Sequence, residues 1–208
     1  MPVMLRVDPR NPEAAAIREA AQMIRDGLVV AYPTDTLYGL AVDPRNPAAV
    51  IRLYALKGRA DTSALTLIAA DLAQVRQAAE MSGHALRLAG AWWPGPLTIV
   101  LRAKAAVARE TLSGGDTVGV RVPDHAVAVA LARAAGFCIT ATSANRSGAA
   151  AASAPGAVRD ALPDVDAIVD AGASPGGAAS TIVSAAAHDV TLVRAGAIAW
   201  ERVLRSLS

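Results

Sequence analysis

The chain has 208 residues, 53% of them hydrophobic, and a formal net charge of only +2 at pH 7. This length suits one α/β domain, and we predict a single domain over residues 1–208. So mild a charge does not indicate a protein that coats nucleic acid, although local groups of arginines could still bind phosphates. One cysteine and three histidines predict neither a structural disulfide nor a structural zinc site. Without a signal-peptide pattern or a membrane-length apolar run, we expect a cytoplasmic protein with no membrane contact.

The first part of the chain alternates between predicted helices and strands. Asn11, Pro12 and Glu13 indicate a helix start, and an apolar face follows up to Gly27. The run LVVAY then predicts a buried strand that ends at the turn PTDT. A second helix is expected to begin at Asn46 and to end near the Lys-Gly-Arg segment at 57–59.

The remaining sequence continues this alternation. Short β-branched runs predict strands at 65–69, 97–103, 117–122, 137–141, 167–171, 180–185 and 190–195. Polar helix starts predict helices at 71–80, 82–92, 124–135, 155–161 and 198–206. We therefore predict an α/β fold, with a twisted mixed parallel/antiparallel sheet and helices on its faces.

Cationic residues with a plausible anionic partner lie in the segments LKGRADTSALTLIA, DTVGVRV and LVRAG. Lys57 and Arg59 flank a glycine, so they could grip a phosphate across a turn, or simply offset the negative end of a helix. Arg121 lies within an apolar strand, where it requires an anion. That anion is either a substrate group or an internal Asp or Glu. Arg194 fits a surface role as well as a functional one.

Polar residues also follow apolar strands in the segments YPTDTLYGL and ITATSANRSG. In the second segment Ser143 and Asn145 offer a hydroxyl and an amide to a ligand, or stabilise a loop. The small residues at 146–156 predict a mobile surface loop, and we hypothesise that it is a lid. In the first segment, a turn-stabilising role is the simpler interpretation of Asp35.

With WPGPLTIVL and STIV, this ordered set of segments resembles the YrdC family of threonylcarbamoyl-AMP synthases from near residue 12 to near residue 200. The resemblance implies a YrdC-like fold. It also implies an enzyme that joins L-threonine and bicarbonate or CO2 as a carbamate and transfers AMP to it from ATP, with Mg2+ accompanying the ATP. Its product would serve the modification of the tRNA adenosine beside the anticodon, with transient contact to tRNA and to the downstream transferase machinery.

The same resemblance implies roles for individual residues, with Lys57 and Arg59 as the catalytic, phosphate-binding pair. No protein ligand to a metal is expected. The implied ATP-binding residues are Lys57, Arg59, Ser63, Thr117, Ser143, Asn145 and Arg194. The implied threonine-binding residues are Thr36, Arg121, Ala141 and Ser180.

The sequence departs from the family pattern after Arg59. Ala60, Ser63 and Ala64 stand where the family commonly has Pro and, further on, Asn or Lys before Pro or Gly. Ile68 is apolar, as in the shorter members.

Two alternatives remain at this point. One is a non-catalytic RNA-binding or ribosome-associated paralogue. The other is a carbamoyl-adenylate-forming relative, which normally belongs to a larger chain with cysteine clusters. This sequence has one cysteine and retains Lys57, Arg59, Ser143 and Asn145, which favours the synthase.

Overall fold

The computed structural model describes residues 1–58, 64–187 and 189–207, which contain eleven strands and eight helices. The strands are β1 (Val3–Arg6), β2 (Val30–Tyr32), β3 (Gly39–Ala41), β4 (Thr66–Ile68), β5 (Leu97–Arg102), β6 (Thr117–Arg121), β7 (Ile139–Thr140), β8 (Thr142–Ser143), β9 (Ala167–Asp170), β10 (Thr181–Ser184) and β11 (Thr191–Arg194). The helices are α1 (Ala14–Arg25), α2 (Pro47–Lys57), α3 (Leu72–Ala78), α4 (Gly83–Trp92), α5 (Arg109–Leu112), α6 (Ala126–Ala135), α7 (Pro155–Ala161) and α8 (Trp200–Arg205).

Local sequence signals account for the ends of α2. The side chain of Asn46 accepts hydrogen bonds from the amides of Ala48 and Ala49, which have no partner inside the helix. At the other end Gly58 adopts the left-handed conformation that commonly terminates a helix. Both predicted ends of this helix are confirmed, and the cap places Lys57 in its last turn.

The strands form two sheets, and each contains both parallel and antiparallel pairs. The first has the order β1-β9-β2-β3-β8 and the second the order β11-β10-β5-β6-β4-β7. The predicted mixed sheet is therefore confirmed as an arrangement of strands, but it is divided in two. The late pair β10–β11, which a short connection joins, is antiparallel, and β5–β6 is antiparallel as well.

Three apolar clusters hold the sheets and helices together. One packs the six-stranded sheet against α3, α4 and α8. A second contains α1 and α6 and apolar side chains from both sheets, so it joins them. The third packs α2 and α7 against the opposite face of the five-stranded sheet. The second cluster thus packs the two sheets against each other.

The elements that sequence patterns do not predict are β1, β3, β8 and α5. Each has only two to four residues. Stretches this short contain too few residues to establish a period of 2 or 3.6. Within the residues that the structure describes, no helix is long and apolar enough to cross a membrane.

Candidate functional site

A cavity of about 280 Å³ opens between the two sheets. In the six-stranded sheet it lies where β5 and β10 begin and where β6 and β11 end, because antiparallel pairing brings these ends to one edge. The five-stranded sheet contributes the turn between β2 and β3 and the residues before and in β8. The residues that line the cavity are Thr34, Thr36, Leu37, Tyr38, Gly39, Ala64, Leu65, Thr66, Thr98, Arg121, Ala141, Thr142, Ser143, Ala179, Ser180 and Arg194.

The hydroxyl of Thr34 organises the turn on one side of this cavity. It accepts hydrogen bonds from the amides of Thr36 at 3.2 Å and Leu37 at 3.3 Å. It donates to the carbonyl oxygen of Leu37 at 2.7 Å. These bonds make the turn compact and bring the Thr36 hydroxyl within 3.2 Å of the Thr34 hydroxyl.

Arg121 reaches the cavity from the end of β6 and forms an ion pair with Asp35. Its two terminal nitrogens, Nη2 and Nη1, lie 3.2 Å from Oδ1 and 3.3 Å from Oδ2 of Asp35. Both side chains are largely buried, with exposed fractions of 8% and 15%. The internal carboxylate that the sequence left open as a partner for Arg121 is therefore Asp35, while Arg121 still lines the cavity.

Two titratable neighbours of this pair have shifted pKa values. Burial raises the pKa of Tyr32, although Arg121 lowers it and Asp35 raises it further. Burial lowers the pKa of His125, and the nearby charges of Asp35 and Asp124 oppose that effect. Tyr32 and His125 are therefore neutral at pH 7, so neither adds a charge beside the Arg121–Asp35 ion pair.

Lys57 lies behind the cavity wall and is not among its lining residues. The residue is 3% exposed, and its ammonium donates to the carbonyl oxygens of Ser143 and Asn145. These two carbonyls belong to the TSAN segment that follows β7. Lys57 thus fastens the backbone that carries the Ser143 hydroxyl, a role that sequence reasoning did not assign to it.

The loop at 146–156 is held by several hydrogen bonds. The amide group of Asn145 donates to the carbonyl oxygens of Arg146 at 2.9 Å and Ala149 at 2.6 Å. Further along, the carbonyl oxygen of Ala152 accepts from the amide of Tyr38 at 3.0 Å. Residues 146–150 are exposed, and the amide of Ser147 among them donates to the carbonyl oxygen of Lys57 at 2.9 Å. The mobility and the lid role expected of this loop stay predictions.

Ser180 links three parts of the opposite wall. Its hydroxyl lies 2.9 Å from that of Thr98, and its carbonyl oxygen accepts from Arg194 at 2.9 Å. Gly196 allows this approach, because a Cβ at that position would lie 2.5 Å from the carbonyl carbon of Ser180. The guanidinium of Arg194 is thereby held over the start of β10.

The structure brings most of the predicted site residues together and separates others from the cavity. Asn145 lies behind the wall with Lys57, and Thr117 begins β6, about 13 Å along the strand from Arg121 at roughly 3.3 Å per residue. Arg59 and Ser63 lie outside the described residues, so their predicted roles stay predictions. The predicted residues that do line the cavity are Thr36, Arg121, Ala141, Ser143, Ser180 and Arg194.

Sequence reasoning missed Thr34, Thr66 and Thr98, which also line the cavity. Thr98 is 1% exposed and its hydroxyl lies beside that of Ser180. A signal was present, since LTLI and LTIV each place a threonine second in an apolar strand, where a hydroxyl needs a polar partner. Among the described residues, no group of three or more His, Cys, Asp or Glu could hold a metal ion.

The cavity lies at the edge of a mixed sheet and is lined by hydroxyls and two guanidiniums. These features define an α/β protein that binds a small anionic molecule. Residues 22–196 match the family model Sua5/YciO/YrdC, described as "Telomere recombination". The chain belongs to this family, and its predicted YrdC-like fold is confirmed.

Three similar proteins give the extent of this likeness. The threonylcarbamoyl-AMP synthase of Halorhodospira halophila is 45% identical over 140 residues, which cover 67% of this chain and 73% of that protein. The protein of the same name from Bacillus subtilis is 36% identical over 90% of this chain and 55% of its own length. The crystal structure of Pyrococcus abyssi Sua5 complexed with L-threonine has a TM-score of 0.92 and 34% identity, covering 98% of this chain and 60% of that one. The chain thus spans little more than half the length of the latter two.

Proposed function

We propose that this chain is an L-threonylcarbamoyladenylate synthase, a nucleotidyltransferase. It makes threonylcarbamoyl-AMP and pyrophosphate from L-threonine, bicarbonate or CO2, and ATP. The observation that carries the proposal is that Arg121 and Arg194 line one cavity together with several hydroxyls. The names of the similar proteins and the threonine complex of the Pyrococcus abyssi structure support the same activity.

The amino acid binds in the part of the cavity around Arg121. A guanidinium binds a carboxylate through two parallel hydrogen bonds, so Arg121 takes the threonine carboxylate. Thr36, Ser180 and the backbone at Ala141 surround the same space and receive the hydroxyl and amine of the substrate. A volume of about 280 Å³ is close to the lower limit of roughly 300 Å³ for ordinary ligand sites, which suits an amino acid beside part of a nucleotide.

The nucleotide binds on the side of Ser143 and Arg194. Lys57 holds the backbone of Ser143 in place, and Arg59 supplies the phosphate contact that the family pattern implies. The family pattern also implies nucleotide contacts for Ser63, Thr117 and Asn145, although Thr117 and Asn145 lie away from the cavity lining. Mg2+ enters with ATP, where it neutralises phosphate charge, because the described residues offer no carboxylate cluster to hold it.

The reaction requires positioning more than acid–base chemistry. The threonine nitrogen attacks the carbon of CO2 and loses a proton, which gives a carbamate. A carbamate oxygen then attacks the α-phosphorus of ATP in line with the bond to the leaving pyrophosphate, which departs as that bond breaks. The cations of the site stabilise the negative charge on the phosphates.

The product is an activated acyl-adenylate, so a second enzyme is needed to use it. We propose that this enzyme transfers the threonylcarbamoyl group to the tRNA adenosine beside the anticodon. Transient contact with that machinery or with tRNA, and a cytoplasmic location, belong to the same proposal.

The test is to incubate the purified protein with ATP, bicarbonate and labelled L-threonine, and to detect threonylcarbamoyl-AMP and pyrophosphate. Product that requires all three substrates, and that is lost in Arg121→Ala, supports the proposal. Tight RNA binding without product would favour the non-catalytic paralogue. Adenylate formed from carbamoyl phosphate and ATP without threonine would favour the carbamoyl-adenylate-forming relative.

A further inference from the structure

We propose that Asp35 is a positioning residue, which orients Arg121 so that the cavity receives an amino-acid carboxylate on one defined edge of the guanidinium. This inference rests on the proposed use of Arg121 in threonine binding. It concerns a residue that touches Arg121 and acts through it.

The contacts of Asp35 distinguish it from a turn-forming residue. The amides of Thr36 and Leu37 donate to the Thr34 hydroxyl, so Thr34 forms the turn. In the described part of the chain, the partner of the Asp35 carboxylate is Arg121. The expected role of Asp35 as a turn-stabilising acid therefore gives way to a role in holding Arg121.

The geometry of the pair leaves one edge of Arg121 for a ligand. A guanidinium can bind a carboxylate end-on through Nη1 and Nη2, or side-on through Nε and one Nη. Asp35 lies against the end-on edge, 3.3 Å from Nη1 and 3.2 Å from Nη2. In the described residues no acceptor contacts Nε. A substrate carboxylate in the cavity is thus offered the side-on edge.

The charge of the pair also affects selectivity. Neither Tyr32 nor His125 carries a charge at pH 7, because burial raises the pKa of Tyr32 and lowers that of His125. Arg121 and Asp35 are then formally neutral together. A simple anion gains little net attraction from a neutral pair, whereas threonine adds contacts to the surrounding hydroxyls. Asp35 therefore weakens the attraction of Arg121 for simple carboxylates that lack these additional contacts.

The test measures binding without turnover, by calorimetry of L-threonine, ATP and acetate with wild type and Asp35→Asn. We expect a dissociation constant for threonine at least about tenfold higher in Asp35→Asn, because the amide keeps one oxygen acceptor but loses the charge that pairs with Arg121. ATP binding should change less than about twofold, and acetate should bind more tightly. Asp35→Glu, which keeps a carboxylate, should recover part of the threonine affinity. Asp160→Asn, in an exposed pair with Arg159, is the matched control and should behave as wild type.

A double-mutant cycle isolates the action through Arg121. In an Arg121→Ala background, Asp35→Asn should cause no further loss of threonine binding. Any of three results would overturn the proposal. They are an unchanged threonine affinity in Asp35→Asn, an equal loss of affinity for threonine and ATP, and a further loss of threonine affinity in the Arg121→Ala background. Thermal unfolding identifies a variant that is not folded, and Asp35→Ser then replaces Asp35→Asn. If the wild-type protein binds threonine but makes no product, the proposed synthase activity is refuted, whereas the test of Asp35 stays valid.

Discussion

The Nζ atom of Lys57, at the end of helix α2, lies 2.9 Å from the carbonyl oxygen of Asn145, 88 residues further along the chain. The same ammonium donates to the carbonyl oxygen of Ser143. A lysine that looked in the sequence like a phosphate ligand thus holds the segment that presents the Ser143 hydroxyl.

Lys57→Met should destabilise the protein and impair the site. The substitution removes the ammonium that donates to the carbonyl oxygens of Ser143 and Asn145. Losing these two hydrogen bonds should lower the free energy of unfolding by about 2–4 kcal/mol. Turnover should fall at least about tenfold as Ser143 moves. Urea unfolding and the synthase assay measure the two effects. Lys104→Met, at the other lysine of the chain and in an exposed position, is the control. A Lys57→Met protein of wild-type stability that no longer binds ATP would assign Lys57 to the phosphates instead.

Gly196→Ala should distort the wall that holds Ser180. The added Cβ would overlap the carbonyl oxygen of Ala179 and lie 2.5 Å from the Thr181 nitrogen, and both are backbone atoms that cannot rotate away. We expect a loss of about 1–3 kcal/mol in stability, with a fall in kcat/KM. Gly90→Ala is the matched control, because the added Cβ would lie within 4 Å of no atom outside the backbone of its own helix. Alanine is also favoured inside a helix such as α4. If Gly196→Ala had wild-type kinetics, the close approach would have no role in the site.

Asn145→Asp should loosen the loop at 146–150. The substitution removes the two amide donors and places a carboxylate against the carbonyl oxygens of Arg146 and Ala149. Trypsin should then cleave after Arg146 several times faster than in wild type, since local opening controls proteolysis. Asn11→Asp, on the exposed surface, should leave the cleavage rate unchanged. Equal cleavage of Asn145→Asp and wild type would show that these hydrogen bonds do not order the loop.

Alkaline pH should destabilise the protein partly through Cys138. Burial raises the pKa of this thiol to about 12, above its value of about 8.5 in an unfolded chain. The stability that comes from the protonated thiol is therefore complete below about pH 8.5 and is lost as the pH rises towards 12. Between pH 9.5 and 11 the unfolding free energy of wild type should fall by about 1.4 kcal/mol per pH unit more steeply than that of Cys138→Ala. Parallel pH profiles from urea titrations would contradict this account.

The elements predicted from sequence are those with strong local signals. Helix α1 buries Ile17, Ala20, Ala21 and Ile24 on the face that their spacing predicts, and α7 spans residues 155–161 as expected. Strands β1 and β8 were missed because each is short and depends on a distant partner, β9 for β1 and β3 for β8. A strand of this kind has no period of its own to detect.

The sequence by itself determined the order of the elements, the segments that contribute to the site and the family to which they belong. It did so because helix caps, strand alternation and motifs depend on neighbours a few residues apart. Only the tertiary structure decided that the strands divide into two sheets, that Asp35 pairs with Arg121, and that Lys57 holds the backbone of Ser143. The residues of each pair are 86 apart in the chain. Their contact depends on how the sheets pack, since several acceptors could satisfy a buried cation equally well and packing brings one of them within reach.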